Sequence, residues 1–401
     1  MEKKKVLFIG DGVTPTGFST VTHNIIRNLP KEEFEIHHLA VNYRGDPHSY
    51  DWYIYPAMSN NEPMGFNRLP AFSKIGFDCI FMLNDPWVID QYLHILKTTW
   101  DTIPPIVVYF PVDAMDLNHK WFINFDMVTS TNCYTKFGKE ETAKAASLVK
   151  EINVVPHGVD TSVFYKAYES RKEAKKVLFK SNPEFYDSFI VLNANRNQSR
   201  KRIDITIKAF SLFAENKPDD VFLYLHMGTP DAGWELLSLV HRYNIDKRLI
   251  LSGVENGPKS VSTKALNLIY NATDVGLNTC EGEGWSLTNM EHGVTGAPQI
   301  VPNHSALTEI YEDTGILVPV DYWLIDRQTN TNRGYVKPED VAEILEDLYK
   351  NRKKITSIGE ATREKFISKE YNWKNIVKNY WLPIIRSAML TKSTVINLDT
   401  K

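Results

Sequence analysis

Short apolar runs alternate with stretches of helical spacing along most of the chain. Residues 5–9 read Lys-Val-Leu-Phe-Ile and run into Gly10-Asp11-Gly12. A strand with no polar alternation is buried on both faces, as in a parallel sheet. Residues 20–29 then place Val21, Ile25, Ile26 and Leu29 at helical spacing and stop at Pro30. Further strands are predicted at 34–41, 79–83, 106–110, 127–130 and 152–155. The stretch 46–70, rich in Pro, Asn and Tyr, reads as an irregular insertion near the strand tips. A second series opens near residue 188. It predicts strands at 189–193, 221–226, 249–252, 275–278, 299–301 and 316–318. Helices are predicted at 203–213, 261–271, 286–295 and 341–350. Residues 321–336 read as an inserted loop or hairpin, and 372–389 as a final helix.

Strands that alternate with helices imply βαβ units and parallel sheets. The fold class is therefore α/β, with two Rossmann-like doubly wound halves facing across a cleft. The expected domains are 1–160 and 161–375, one for each series of strands. Residues 376–390 form a helix crossing back to the first domain, and 391–401 a flexible tail. In such sheets ligands sit beyond the carboxyl ends of the strands.

Three segments stand at those ends. Glu281-Gly282-Glu283-Gly284-Trp285-Ser286-Leu287-Thr288-Asn289-Met290-Glu291 follows one strand and opens a helix. A helix start offers unpaired N–H groups to an anion. Glu283 and Glu291, eight apart, are expected on one helix face, one for a sugar and one for a ribose hydroxyl pair. The bland alternative is two solvated charges with Ser286 as a cap. Asn193 to Arg202 carries Arg196, Arg200, Lys201 and Arg202 at a strand tip and helix start. A helix start disfavours cations, so an anion held among them would resolve the conflict. A solvated basic turn is the other reading. Asn153 to Asp160 ends a strand with Pro156, His157 and Gly158, which a turn before a linker also explains.

Composition narrows the classes. Lys and Arg total 46 against 49 Asp and Glu, a net charge of -3, and residues 1–160 hold 14 basic against 19 acidic side chains. That balance gives no strong sign of DNA binding or stable membrane attachment. Cys79, Cys133 and Cys280 are too widely spaced for a disulfide framework or a zinc site. No apolar run approaches the ~20 residues of a membrane span, and the amino terminus lacks a signal-peptide core of roughly 7–15 residues. A cytoplasmic, soluble protein is expected.

Together the three segments resemble retaining GT-B glycosyltransferases of family 4. The family's Glu-any-seven-Glu segment matches Glu283 to Glu291. Its Arg followed five residues later by Lys matches Arg196 and Lys201, and its Val-Ile-Pro-Asn-Gly-Val-Asp type segment matches Val154 to Asp160. Its glycine-rich loop matches Gly12 to Gly17. The resemblance covers about residues 5–385. It implies that Arg196 and Lys201 bind the donor diphosphate, that Glu283 contacts the donor sugar and that Glu291 contacts the ribose. Amides of Gly284, Trp285, Ser286 and Leu287 would hold phosphates and sugar, with Gly12 and Gly17 approaching from the amino-terminal domain. Val254 would lie near the base. Where the family often has His, the nearest residue here is Asp113, a sugar or acceptor contact or a turn cap. Asn84, Asp85 and Trp87 would face the acceptor.

The implied reaction moves a sugar from a UDP- or GDP-sugar to an acceptor hydroxyl, with retention. No permanently bound cofactor and no metal are expected, there being no Asp-any-Asp segment. The acceptor would be a glycan, a protein, a small molecule or a modified base. A two-carboxylate glycosidase would have no use for Arg196 and Lys201. A dinucleotide oxidoreductase fits poorly, because the second predicted strand ends Val41-Asn42 without an acidic ribose ligand. Another GT-B enzyme, an epimerase or phosphorylase, and a non-catalytic nucleotide-sugar binder are the remaining alternatives.

Overall fold

The structure, a computed structural model, describes residues 2–229, 231–252 and 261–396. They form two compact units. One comprises Met1–Val112, Asp116–His157 and Trp373–Lys401, the other Asp113–Met115 and Gly158–Asn372.

The first unit carries β1 (Lys4–Asp11), β2 (Phe34–Val41), β3 (Tyr53–Pro56), β4 (Cys79–Leu83), β5 (Thr102–Ile103), β6 (Ile106–Phe110), β7 (Ser130–Cys133) and β8 (Ile152–Val154). Seven of them make one sheet, ordered β3-β2-β1-β4-β6-β7-β8, with parallel pairings. The apolar runs of β4 and β6 are buried at every position. The sheet packs on the helix Pro86–Thr99, which buries Val88, Ile89, Tyr92, Leu93 and Leu96.

Several expectations shift here. The first helix spans Gly17–Asn28, starting three residues before the predicted 20, because Thr16 and Ser19 cap each other's backbone N–H groups. The stretch 46–70 is not wholly irregular: β3 extends the sheet beside β2, and Pro56 is tolerated on that edge strand. The strand expected at 127–130 lies at β7, where Thr131, Asn132 and Cys133 are buried. A 3₁₀ turn, Phe125–Met127, takes up the apolar residues before it. The last helix runs as Trp373–Ile376, a π segment Val377–Trp381, and Leu382–Met389. Pro383 cannot donate into a regular α ladder, and a wider turn accommodates it. Trp381 is fully buried against Phe81 and Tyr109 at 5.0 and 4.5 Å between ring centroids. The tail is not frayed immediately past Met389: Thr394–Val395 pairs antiparallel with β5.

The second unit carries β9 (Phe189–Asn193), β10 (Val221–His226), β11 (Leu249–Ser252), β12 (Val275–Leu277), β13 (Gln299–Pro302) and β14 (Ile316–Val318). Their order is β11-β10-β9-β12-β13-β14, again with parallel pairings. Strand order reverses between β9 and β12, which makes their carboxyl ends the switch point of a doubly wound sheet. Helices Ile203–Ala214 and Pro338–Lys350 bury Ile207, Phe210, Val341 and Leu345 in the core beside it. Residues 321–336 form an antiparallel hairpin of β15 (Val320–Ile325) and β16 (Asn332–Val336). Asp113–Met115 joins this unit because Met115 and Asn332 exchange backbone hydrogen bonds of 3.2 and 3.0 Å.

Candidate active site

At the β9 tip the chain reads Asn193-Ala194-Asn195, then makes a 3₁₀ turn over Ser199–Lys201. Asn193 Nδ2 donates to Thr206 Oγ1 at 2.9 Å, and Thr206 Oγ1 meets Thr279 Oγ1 at 2.7 Å. Those bonds tie the tip of β9 to the tip of β12. All three side chains are buried, where an unpaired polar group would be costly.

Lys201 is the pivot of the cluster. Its Nζ donates to Asn195 Oδ1 at 3.1 Å and forms an ion pair with Glu283 Oε1. Asn278 Nδ2 donates to the same Oε1 at 3.2 Å, and the Glu283 backbone N–H donates to Ser305 Oγ at 3.1 Å. Arg200 Nη1 donates to the Gly282 carbonyl at 3.1 Å and lies 3.5 Å from Glu283 Oε2. Burial pushes the Glu283 carboxyl up, but Lys201 and Arg200 outweigh it and hold the group below the usual range. Burial depresses Lys201 despite its partner. The pair is read as ionised, since a buried charge persists only with such a partner.

Glu283 and Glu291 do not share a helix face. Ser286 sits at φ 74°, and the helix begins only at Leu287, running Leu287–Val294. Glu283 therefore stands in the loop before the helix, next to Gly284 and Trp285. Ser286 occupies the cap position without a capping bond; its hydroxyl donates to Asn289 Oδ1 at 2.6 Å and accepts from Asn278 at 3.2 Å. Trp285 is buried, its indole N–H donating to Met290 Sδ at 3.3 Å. Glu291 is half-buried and accepts from the Tyr270 hydroxyl at 3.2 Å. Burial raises its carboxyl to about 8. Left-handed backbone at non-glycine residues recurs here, at Arg202 (φ 49°), Ser286 and Ser305 (φ 53°). Such strain persists only where surrounding bonds impose it.

Arg196 is not brought to the cluster. Its guanidinium is exposed and grips Asp231 through two bonds of 3.1 and 3.0 Å. It precedes the 3₁₀ turn, whereas Arg200 and Lys201 lie within it, so Arg200 stands at Glu283 instead. Val254 lies outside the described residues. Asp113 does reach the cluster. Arg333 Nη1 stands 3.0 Å from Asp113 Oδ2, and Arg200 Nη1 stands 3.8 Å away. Burial acts to raise Asp113, but Arg333 and Arg200 prevail and keep it below the usual range. Gly282 is required by space: a Cβ there would stand 1.9 Å from the Asp113 carbonyl oxygen.

In the first unit, Gly12 follows β1 and packs so close to His38 that a Cβ would stand 2.4 Å from its ring. Gly17 is exposed and opens the Gly17–Asn28 helix. Asn84 and Asp85 follow β4; the Asp85 N–H donates to Asn84 Oδ1 at 2.9 Å. Trp87, in the next helical turn, meets Trp121 at 4.8 Å. His157 is buried among Tyr109, Tyr134 and Trp373.

Sequence reasoning did not single out Asn195, Asn278, Ser305 and Arg333, and it named Arg200 only as one of four cations at the strand tip. The Asn residues had a legible signal, polar amides directly after apolar strands. Arg333 had none, because a hairpin brings it to the site from 50 residues beyond Glu283.

No family model matches the chain. Over 200 residues it is 26% identical to D-inositol 3-phosphate glycosyltransferase of Paenarthrobacter aurescens, 49% of this chain and 43% of that protein. The match thus spans less than half of the curated relative's length. Sucrose-phosphate synthase from Thermosynechococcus elongatus superposes with TM-score 0.73 at 15% identity, covering 97% of this chain and all of that one. A glycosyltransferase from Rickettsia africae gives 0.71 at 14%, covering 98% and 100%. Anabaena HepE in complex with UDP and glucose gives 0.68 at 14%, covering 95% and 99%. These likenesses establish the fold: two Rossmann-like, parallel-sheet domains, as in GT-B glycosyltransferases.

Proposed function

We propose that this chain is a GT-B glycosyltransferase of the family 4 type. It moves a hexose from a nucleoside-diphosphate sugar to an acceptor hydroxyl, with retention and without a metal. The observation that carries the reading is the ionised Lys201–Glu283 pair, with Arg200 beside it, at the β9/β12 switch point. A glycosyltransferase relative and the fold shared with a UDP-bound neighbour support it.

The roles follow from the chemistry of the groups. Lys201 meets the charge that develops on the departing diphosphate. Arg196 joins it by exchanging Asp231 for phosphate, a swap that an exposed side chain can make. Glu283 accepts from sugar hydroxyls, and Glu291 contacts the ribose pair. Amides of Gly284, Trp285, Ser286 and Leu287 face phosphate and sugar, at a helix start that Ser286 caps without a side-chain bond. Asp113 contacts the sugar or the acceptor hydroxyl, and Asn84, Asp85 and Trp87 the acceptor. The acceptor oxygen bonds to the anomeric carbon on the face the diphosphate leaves, and its proton passes to the leaving phosphate oxygen. No carboxylate nucleophile is needed.

A thermal-shift panel with UDP, GDP, ADP, CDP and NAD tests this reading. A ligand at about 100 times its Kd stabilises the folded chain by roughly 2.7 kcal/mol. One nucleoside diphosphate should raise Tm, and Lys201→Ala should erase the rise. A shift with NAD alone would sink the proposal. Retention is checked by the anomeric configuration of the product in NMR.

A further inference from the structure

The hairpin of β15 and β16 meets the site residues at several points. Arg333 Nη1 bonds to Asp113 Oδ2 at 3.0 Å and donates to the Asp113 carbonyl at 3.4 Å. Asn332, its neighbour, pairs with Met115 through both backbone bonds. Tyr335 lies under the Arg202 guanidinium at 4.8 Å. Trp323 meets His304 edge-on at 5.8 Å. Gly334 packs so tightly that a Cβ would stand 2.8 Å from the His304 ring. An insertion that served only as surface decoration would not need this many specific contacts.

Arg333 is the contact with chemical consequence. Its side chain is 6% exposed, and a charge so buried is retained only against a partner. Asp113 is that partner. The other charged groups around Asp113 do not replace it. Arg200 lies 3.8 Å from Asp113 but also serves Glu283 and the Gly282 carbonyl. Lys201, from the same 3₁₀ turn, is committed to Glu283 and Asn195. Glu283 repels Asp113, and burial keeps His304 neutral, with its value lowered to about 4. Among the described residues Arg333 is the cation nearest the Asp113 carboxylate, and it also hydrogen-bonds the Asp113 backbone carbonyl.

We infer that Arg333 is a positioning residue that fixes the Asp113 carboxylate for its contact with sugar or acceptor, so that the inserted hairpin belongs to the active centre. The inference rests on the transferase reading, which gives Asp113 that contact. Without Arg333 the carboxylate loses its nearest cation, swings between rotamers and takes up a proton more readily. A Lys there keeps the charge but not the planar guanidinium.

The test compares wild type with Arg333→Gln, Arg333→Lys, Asp113→Asn and the double variant Asp113→Asn/Arg333→Gln. The readout is release of nucleoside diphosphate from UDP-, GDP- and ADP-glucose, with water accepting the sugar, from pH 4 to 9. Arg333→Gln should lower kcat about tenfold with KM for the donor changed less than about threefold, and move the acid limb of kcat up by about one pH unit. Arg333→Lys should restore most of the limb. Adding Arg333→Gln to Asp113→Asn should cost less than about twofold, because the two act as a unit. Should Arg333→Gln fail to fold by circular dichroism, Arg333→Lys and the double variant carry the comparison. An acid limb unmoved in Arg333→Gln, or additive losses in the double variant, overturn the inference while leaving the transferase reading in place. No release from any donor by wild type defeats that reading, and the inference with it.

Discussion

At the residue scale, two glutamates of one motif are held in opposite states. Glu283 is ionised against Lys201 and Arg200, whereas burial beside Tyr270 raises Glu291 to about 8. An ordinary carboxyl titrates near 4.3. Between those values the folded chain holds one more proton at Glu291 than the unfolded chain does. That contribution to stability falls as pH rises toward 8, then levels off. Glu291→Gln should remove this slope. Its Tm should exceed that of wild type by on the order of 3–6 °C at pH 8.5 and match it at pH 5, by calorimetry. Equal slopes in the two proteins would count against a protonated Glu291. Lys201→Ala behaves in the opposite sense. It strands Glu283 as an uncompensated buried charge, and urea unfolding should register a loss of about 3–5 kcal/mol.

At the element scale, the loop between β12 and the Leu287–Val294 helix places the chemistry. Gly282 lets the Asp113 carbonyl and Arg333 approach, the latter 2.8 Å from where a Cβ would stand. Gly282→Ala should therefore cut kcat/KM for donor turnover at least tenfold, with a stability loss of about 1–3 kcal/mol. Full activity in that variant would show that the segment has room to give. The final helix offers a second case. Its π segment turns Trp381 into the first unit's core, on Phe81 and Tyr109. Trp381→Ala should cost about 3–5 kcal/mol in denaturant unfolding.

The strands themselves were legible, because a doubly buried strand can only be written as an apolar run. β1, β4, β6 and β9 are of that kind. β7 was displaced by three residues, since it buries Thr131 and Asn132, which pattern alone assigns to solvent. The helix Arg352–Phe366 escaped notice because it buries only Ile355, Gly359, Thr362 and Phe366 in a mostly polar sequence.

At the scale of the molecule, charge composition and site chemistry point the same way. The chain is nearly neutral, with 46 basic and 49 acidic residues, so its anion-binding capacity must be local. On the proposed reading Lys201 and Arg200 supply it at one strand tip, joined by Arg196 once it leaves Asp231. Among the described residues no cluster of three or more His, Cys, Asp or Glu is arranged to hold a metal ion. If the cations of the chain meet the diphosphate charge, turnover measured with EDTA should stay within about twofold of turnover with Mg²⁺. A loss of tenfold or more that Mg²⁺ restores would assign the diphosphate to a metal instead.

By itself the sequence determined the class of fold and the strand ends at which the charged and amide side chains collect. Both follow from local rules: apolar runs bury, glycines permit close approach, and polar residues after a strand stand at its tip. Only the tertiary structure decided which charges meet. Arg196 and Arg200 are four residues apart and equally basic, yet one grips Asp231 and the other reaches Glu283. Arg333 reaches Asp113 across 220 residues of chain. Spacing along the chain sets which residues share an element. The pairing of charges is set by how elements pack, and that depends on contacts far apart in sequence.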